Sequence, residues 1–356
     1  MNFKTLISTA VFALGLGACA TAGAPDYTVT FPAGEDFDDT MCYILDYDSG
    51  AKIDSVLVTD GVAKLSGSVK DPVLARLIID GNRGPVFILE KGDIAINEKG
   101  DATGTALNER KNSYGEKLAS IMAEANSLPE DSSSIARMAE LERAYYAVPE
   151  QAMNDNPYNP IGLYFFLQQA YEMNLAELDA AVAANPMLAK SKRVAALRTA
   201  LLAESETSEG KKFKDFAVTY DGKTERLSDY VGKGKYVLVD FWASWCGPCM
   251  REIATLKKIR EEFGPKGLEI LGVAVWDEPA NTLKAIEQQQ IPWHSIIDAQ
   301  TIPTDLYGIS GIPCIILFGP DGTILSRGLQ GQNLVNAVAA AMAAAEPAAD
   351  SPVQAE

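Results

Sequence analysis

The two cysteines of Trp245-Cys246-Gly247-Pro248-Cys249 sit at a junction that leaves few folds open to the surrounding residues. Tyr236 to Trp242, just before them, is an apolar and aromatic run that reads as a buried strand, and Pro248 to Phe263, just after, carries a helical pattern. A helix opening here takes Pro248 in its first turn, where a missing N–H costs no hydrogen bond. Its unpaired backbone N–H groups and the positive end of its dipole favour an anion, so the Cys246 thiol is expected to ionise near neutral pH. Cys249 falls one turn later, beside the first sulfur, where it can attack a mixed disulfide formed on Cys246. The spacing predicts one attacking thiol and one resolving thiol.

A Cys-x-x-Cys pair can also grip zinc, but a closed site needs two further ligands. The chain has one histidine, His294, and its remaining cysteines, Cys19, Cys42 and Cys314, stand apart. A purely structural disulfide would close too short a loop to restrain much of the unfolded chain. We therefore expect a redox disulfide between Cys246 and Cys249, with no metal and no cofactor. Cys42 and Cys314 are expected to be small buried residues, and His294, beside Trp293, to be packed rather than catalytic.

Strands and helices alternate around the motif. Leu268 to Trp276, Cys314 to Phe318 and Thr323 to Ser326 read as strands, and Asn281 to Gln289 and Asn333 to Ala345 as helices. That order predicts an α/β domain over residues 211–345, with parallel pairs in its sheet. Residues 26–107 differ in character. Tyr27 to Phe31, Met41 to Tyr47, Ser55 to Val58, Leu74 to Ile79 and Val86 to Glu90 are short, rich in β-branched and aromatic residues, and separated by Gly, Asp and Asn. These predict a small antiparallel β domain, with hairpin turns at Asp48-Ser49-Gly50 and Thr59-Asp60-Gly61. Residues 108–204 are rich in Ala, Leu, Glu and Met and predict a helical segment, broken near Pro129, Pro149, Pro157 and Pro186. Gly162 to Tyr171 is its buried helix, and Asn174 with Glu177 has the form of a capping box. Ser205 to Lys214 reads as a linker.

The ends of the chain concern location. Lys4 followed by the apolar run Leu6 to Leu16 reads as a signal peptide over residues 1–18, too short to span a membrane. Leu16-Gly17-Ala18-Cys19 resembles the bacterial lipobox, which implies lipid attachment at Cys19 and a tether over residues 19–25. Residues 346–356 are Ala, Pro and charge, and read as a disordered tail. With 31 basic against 48 acidic residues the net charge is −17, which disfavours nucleic acid as a partner.

Val239-Asp240-Phe241-Trp242-Ala243-Ser244-Trp245-Cys246-Gly247-Pro248-Cys249, with Gly311-Ile312-Pro313 downstream, resembles thioredoxin, and most of all its TlpA/ResA envelope branch. The resemblance covers about 213–345. It implies a thioredoxin-like fold and thiol–disulfide oxidoreductase activity, with disulfide-containing envelope proteins as clients and a membrane electron donor. Pro313 matches the family's cis proline facing the cysteines, Ile312 the backbone that pairs with substrate, and Trp245 the substrate side of the motif. Asp240 matches the buried aspartate that exchanges a proton with the second cysteine, and Glu252 an acid common in this branch. Cys314 departs from the pattern, which has threonine after the cis proline. The β domain and helical segment ahead of it are similar in layout to the N-terminal regions of some Gram-negative envelope lipoproteins.

Two other functions remain open at this level. A peroxiredoxin-like peroxidase would suit the elements around Ala274 to Ile297, although such enzymes carry Thr-x-x-Cys at the place of this motif. A non-enzymatic lipoprotein would instead use residues 27–204 to bind a partner.

Overall fold

The structure, a computed structural model, describes residues 24–344. The expected signal peptide, Cys19 and the tail from 346 onward lie outside the described residues, as do the first residues of the tether. The chain divides between Phe166 and Leu167 into two compact units.

The first unit opens with eight strands: β1 Tyr27–Pro32, β2 Met41–Asp46, β3 Lys52–Leu57, β4 Val62–Gly67, β5 Val73–Ile79, β6 Asn82–Leu89, β7 Gly92–Ile96 and β8 Ala102–Thr103. They form two four-stranded sheets, in the orders β4-β1-β7-β8 and β3-β2-β5-β6. Val29, Ala63, Leu65 and Ile94 from one sheet meet Cys42, Ile44, Leu77 and Phe87 from the other in one buried core. Alternation along each strand does this, since inward and outward residues follow a period of two. Pairing is antiparallel except between β1 and β7, which run parallel. Asp60 and Gly61 both take positive φ and turn the chain tightly between β3 and β4. That turn joins the two sheets rather than forming a hairpin within one.

Three helices follow: α1 Ala106–Ser127, α2 Ile135–Asp155 and α3 Pro160–Gln169. Asn108 anchors α1 to β6 by accepting from the Ile88 N–H and donating to the Ile88 carbonyl. Glu90 accepts from the first N–H groups of that helix, at Leu107 and Asn108. The expected break at Pro149 does not occur, and Pro149 lies buried inside α2. In α3 the apolar run is buried at Ile161, Leu163, Phe165 and Phe166, whereas Tyr171 beyond it is 77% exposed.

The boundary falls within α3, and the second unit continues from Leu167 into α4 Leu175–Ala184 and α5 Lys192–Glu206. Asn174 and Glu177 form the expected capping box of α4. The helical stretch read from sequence as one segment is therefore shared between the two units. Residues 205–214 are not a free linker either. Thr207 is fully buried and donates to the Tyr307 carbonyl, while Phe213 and Ile324 exchange backbone bonds with Gly322 and Lys211. Polar side chains there disguise a backbone that adds to the sheet edge.

The remaining elements are β9 Ala217–Tyr220, β10 Lys223–Arg226, β11 Tyr236–Trp242, α6 Gly247–Phe263, β12 Leu268–Ala274, α7 Pro279–Gln288, β13 His294–Ile296, α8 Ile302–Tyr307, β14 Cys314–Phe318, β15 Ile324–Arg327 and α9 Gly331–Ala343. A five-stranded sheet of order β13-β12-β11-β14-β15 is its centre, with β11, β12 and β13 parallel and the other pairs antiparallel. Val237, Val239 and Phe241 face the side covered by Phe216, Leu227 and Tyr307. Leu238 and its neighbours face α6 and α9 through Ile253, Leu256, Leu334 and Val338. Burial on both faces explains why β11 reads as a continuous apolar run. The C-terminal part is thus a thioredoxin-like α/β domain, preceded by a β domain and a helical region.

No helix among the described residues is long and apolar enough to cross a membrane.

Candidate active site

β11 delivers the chain to the edge of the core, and α6 starts at Gly247 with Cys246 as its N-cap. Cys246 and Cys249 are joined as a disulfide with their Cα atoms 5.2 Å apart. The Cys249 N–H donates to Cys246 Sγ at 3.1 Å, one of the free amide donors of a helix start turned on sulfur. The same contact would stabilise a thiolate at Cys246 in the reduced form. Both cysteines are nearly covered, at 3% and 1% exposure, with Trp242, Ala243 and Ala285 packed around them. Trp245, Gly247 and Pro248, next to them in the chain, are exposed.

The loop leading to Cys246 is held by residues that the sequence reading passes over. Buried Asp277 accepts from the Ser244 N–H at 2.8 Å, from the Ser244 hydroxyl at 2.9 Å and from the Thr282 hydroxyl at 2.8 Å. Trp245 is 61% exposed, yet its indole N–H donates to the Trp276 carbonyl at 2.9 Å. Trp276 itself takes a φ of 52°, a conformation rare for a bulky residue. Trp276 and Asp277 follow the carboxyl end of β12, next to the carboxyl end of β11, the end where open α/β sheets place their sites. That position is the signal that could have found them.

Ile312 and Pro313 come from the loop before β14. Their peptide bond is cis, as the resemblance implies, and the Ile312 carbonyl oxygen lies 3.7 Å from Cys246 Sγ. Trp245, Cys246 and Ile312 are thereby brought together around the exposed edge of the disulfide.

Asp240, on β11, and Glu252, on α6 three residues after Cys249, are both buried. Asp240 is 2% exposed and its Oδ1 has no hydrogen-bond partner among the described residues. Burial, with the Glu252 carboxylate adding to it, pushes its pKa up to about 7. Such a group is poised to take or give a proton near neutral pH. Glu252 is 8% exposed, and its Oε1 accepts from the Gly331 N–H, the first residue of α9, at 2.8 Å. Glu252 is therefore a buried bridge between two helices, not a solvated helix residue.

Cys314 packs on the other side of the sheet with Phe241 and Tyr307. Burial raises its thiol to about 11, and it forms no disulfide. Cys42 is wholly buried in the first unit and likewise raised to about 11 by burial. His294 is not packed inside. Its ring is exposed, pairs with Glu225 at 2.7 Å and stacks on Tyr230, while its neighbour Trp293 takes the buried position.

Comparison with known proteins places these residues in context. Residues 210–327 match the AhpC/TSA family, and residues 27–110 match a domain of unknown function, DUF4369. The chain is 32% identical over 111 residues to thiol-disulfide oxidoreductase ResA of Geobacillus thermodenitrificans, covering 31% of this chain and 63% of that protein. Against the ResA protein of Bacillus subtilis it is 29% identical over 119 residues, covering 33% of this chain and 65% of the relative. Among solved structures, the thioredoxin domain of a thiol-disulfide oxidoreductase from Bacteroides vulgatus is 32% identical. That likeness covers 37% of this chain and 96% of the other, with a TM-score of 0.34. The strand and helix order and the matched residues agree, and the C-terminal part of this chain is a thioredoxin-like domain that matches the AhpC/TSA family over residues 210–327.

Proposed function

We propose that this protein is a thiol–disulfide oxidoreductase that reduces disulfides of envelope proteins. The observation that carries the reading is the Cys249 N–H directed at Cys246 Sγ at the start of α6, with the second sulfur already within bonding reach. In the reduced form Cys246 attacks a client disulfide as thiolate, forming a mixed disulfide and releasing the first client thiol. Cys249 passes its proton to Asp240 and attacks the Cys246 sulfur, which closes the enzyme disulfide and releases the second client thiol. Trp245 and the Ile312-Pro313 backbone form the docking edge for the client chain. Glu252 acts beside Asp240, through its charge.

A dithiol donor in the membrane returns Cys246 and Cys249 to the reduced state. A lipid on Cys19 would hold the domain at the membrane, facing the periplasm. The curated relatives carry the thiol-disulfide oxidoreductase name, which supports the chemistry. The test is Cys249→Ser in growing cells, which should accumulate mixed disulfides on Cys246 whose partners identify the clients. Recovery of none, with Cys246 unreactive to alkylation at neutral pH, would overturn the reading. Peroxide consumption that survives Cys246→Ser would point to a peroxidase in its place.

A further inference from the structure

The sheet β3-β2-β5-β6 of the first unit has a second face that does not enter the core. Cys42, Ile44, Ala75, Leu77 and Phe87 point inward, so the residues between them along each strand point out. Register aligns Lys52, Leu45, Arg76 and Val86 in one outward row. Ser55, Tyr43, Ile78 and Arg83 form the next. At one end of this face Leu74 and Ile88 are buried, where Asn108 of α1 bonds the Ile88 backbone. The two rows lie beyond that end, with Tyr43, Leu45, Arg76 and Ile78 half-buried and Lys52 and Arg83 exposed.

The charges in these rows are of one sign. Lys52, Arg76 and Arg83 carry them, while the acids of the same strands turn to the core side: Asp54 accepts from the Tyr27 hydroxyl, and Asp46 accepts from the Ser49 N–H in the turn after β2. The chain holds 48 acidic residues against 31 basic ones, yet none of these three cations pairs with a carboxylate among the described residues. Aromatic rings support two of them instead. Lys52 Nζ lies 5.3 Å from the centre of the Tyr43 ring, and Arg76 Cζ 4.6 Å from that of Tyr47. Arg76 Nε is shut off from solvent and has no hydrogen-bond partner among the described residues. A buried donor left unpaired costs free energy, and a carboxylate approaching the guanidinium side-on would satisfy Nε and a neighbouring N–H together.

We propose that this face binds an acidic, partly apolar segment of another polypeptide, with one carboxylate on the Arg76 fork and apolar side chains on Tyr43, Leu45 and Ile78. Lys52 and Arg76 are two strand spacings apart, about 10 Å, which is the span of three extended residues. Carboxylates three positions apart on an extended segment therefore reach both cations. Arg83 is one strand over and two residues along from Arg76, about 8 Å, and takes a further acid. Arg76 is half-buried between exposed Lys52 and Arg83, so a projecting side chain reaches it and a flat array of lipid headgroups does not. Ser55 and Tyr43 carry the only hydroxyls of the two rows, too few to pair those of a glycan. The acidic excess elsewhere on the chain is screened beyond about 8 Å at physiological salt. No residue of the redox pair enters this inference, which goes beyond the function proposed above.

The experiment titrates the oxidised full chain against a fluorescein-labelled peptide of repeating Glu-Leu-Ser, read by fluorescence anisotropy. Binding should weaken as salt is raised, and a Gln-Leu-Ser peptide should bind about tenfold more weakly or worse. Arg76→Gln should cost about tenfold or more in affinity, because it removes the fork. Lys52→Glu with Arg83→Glu, at two exposed positions that the fold does not need, should cost about tenfold as well and keeps the test open should Arg76→Gln fail to fold. Cys246→Ser should bind as the wild type does, so loss of the redox activity and loss of this site are read separately. Equal binding of the Gln-Leu-Ser peptide, or wild-type affinity in the Lys52→Glu, Arg83→Glu variant, overturns the proposal. Tighter binding to phosphatidylglycerol vesicles or to polygalacturonate than to the acidic peptide, lost in the same variant, overturns its assignment to a polypeptide.

Discussion

Asp277 receives both the backbone N–H and the hydroxyl of Ser244, two residues before Cys246, from a position 33 residues further along the chain. The bonds tie the loop that presents the redox pair to the loop after β12, and Thr282 on α7 adds a third. The loop that presents the Cys246 sulfur is therefore held by a carboxylate that bonds Ser244 and not the sulfur itself. Asp277→Ala would leave the Ser244 N–H and two hydroxyls without their acceptor. It should cost about 2–3 kcal/mol in urea unfolding, and Asp277→Asn, which keeps one oxygen acceptor, about half of that.

Asp240 sets a pH dependence of stability whose sign follows from its raised pKa. Below about pH 4 folded and unfolded chains both hold this proton, and between there and about pH 7 only the folded chain does. Raising the pH through that window therefore favours unfolding. The interval from the usual 3.8 to about 7 corresponds to a loss on the order of 4 kcal/mol at most. Asp240→Asn should be more stable than wild type at pH 8 and no more stable below pH 4, as measured by denaturant unfolding of the oxidised protein. A wild-type curve that rises from pH 4 to 7 while the variant stays flat would contradict the assignment.

Glu252 contributes to that shift and also caps α9. Glu252→Gln keeps an oxygen for the Gly331 N–H but removes the charge near Asp240, so the Asp240 transition should move to lower pH with little loss of stability. Glu252→Ala removes the acceptor as well and should cost about 1–3 kcal/mol. A carboxyl titration followed by NMR separates the two effects.

Gly308 closes α8 at a φ of 61° where α5 passes close by. A Cβ there would lie 2.1 Å from the Ala200 carbonyl oxygen and 2.6 Å from the Glu204 nitrogen. Gly308→Ala should therefore destabilise the second unit by more than about 2 kcal/mol and loosen α5, seen as faster amide exchange over residues 192–206.

Cys42 and Cys314 should resist alkylation in the folded protein at pH 8, because burial raises both thiols to about 11. Mass spectrometry after reduction should find label on Cys246 first, and on Cys42 and Cys314 only after unfolding. Labelling of Cys314 at the rate of Cys246 would give it a place in the redox chemistry.

The redox pair and its helix were legible because the necessary information is local: an apolar run, two cysteines one turn apart and a proline tolerated only at a helix start. Asp240 was visible for a similar reason, as a charge inside a strand with no other polar neighbour. Pro149 misled because an isolated proline signals a break, yet buried packing holds α2 together around it. The stretch 205–214 misled because its side chains are polar, whereas its fold is set by backbone bonds to residues about a hundred positions away.

Residues alone thus determined which two sulfurs pair at the helix start, since a helix start and a one-turn spacing act over a few positions. Which groups hold the Cys246 loop and what partners Glu252 were decided by strand register and helix packing. Asp277, Gly331 and Gly308 carry no mark in the sequence, because a hydrogen bond or a close approach between distant segments exists only once the fold has brought them together.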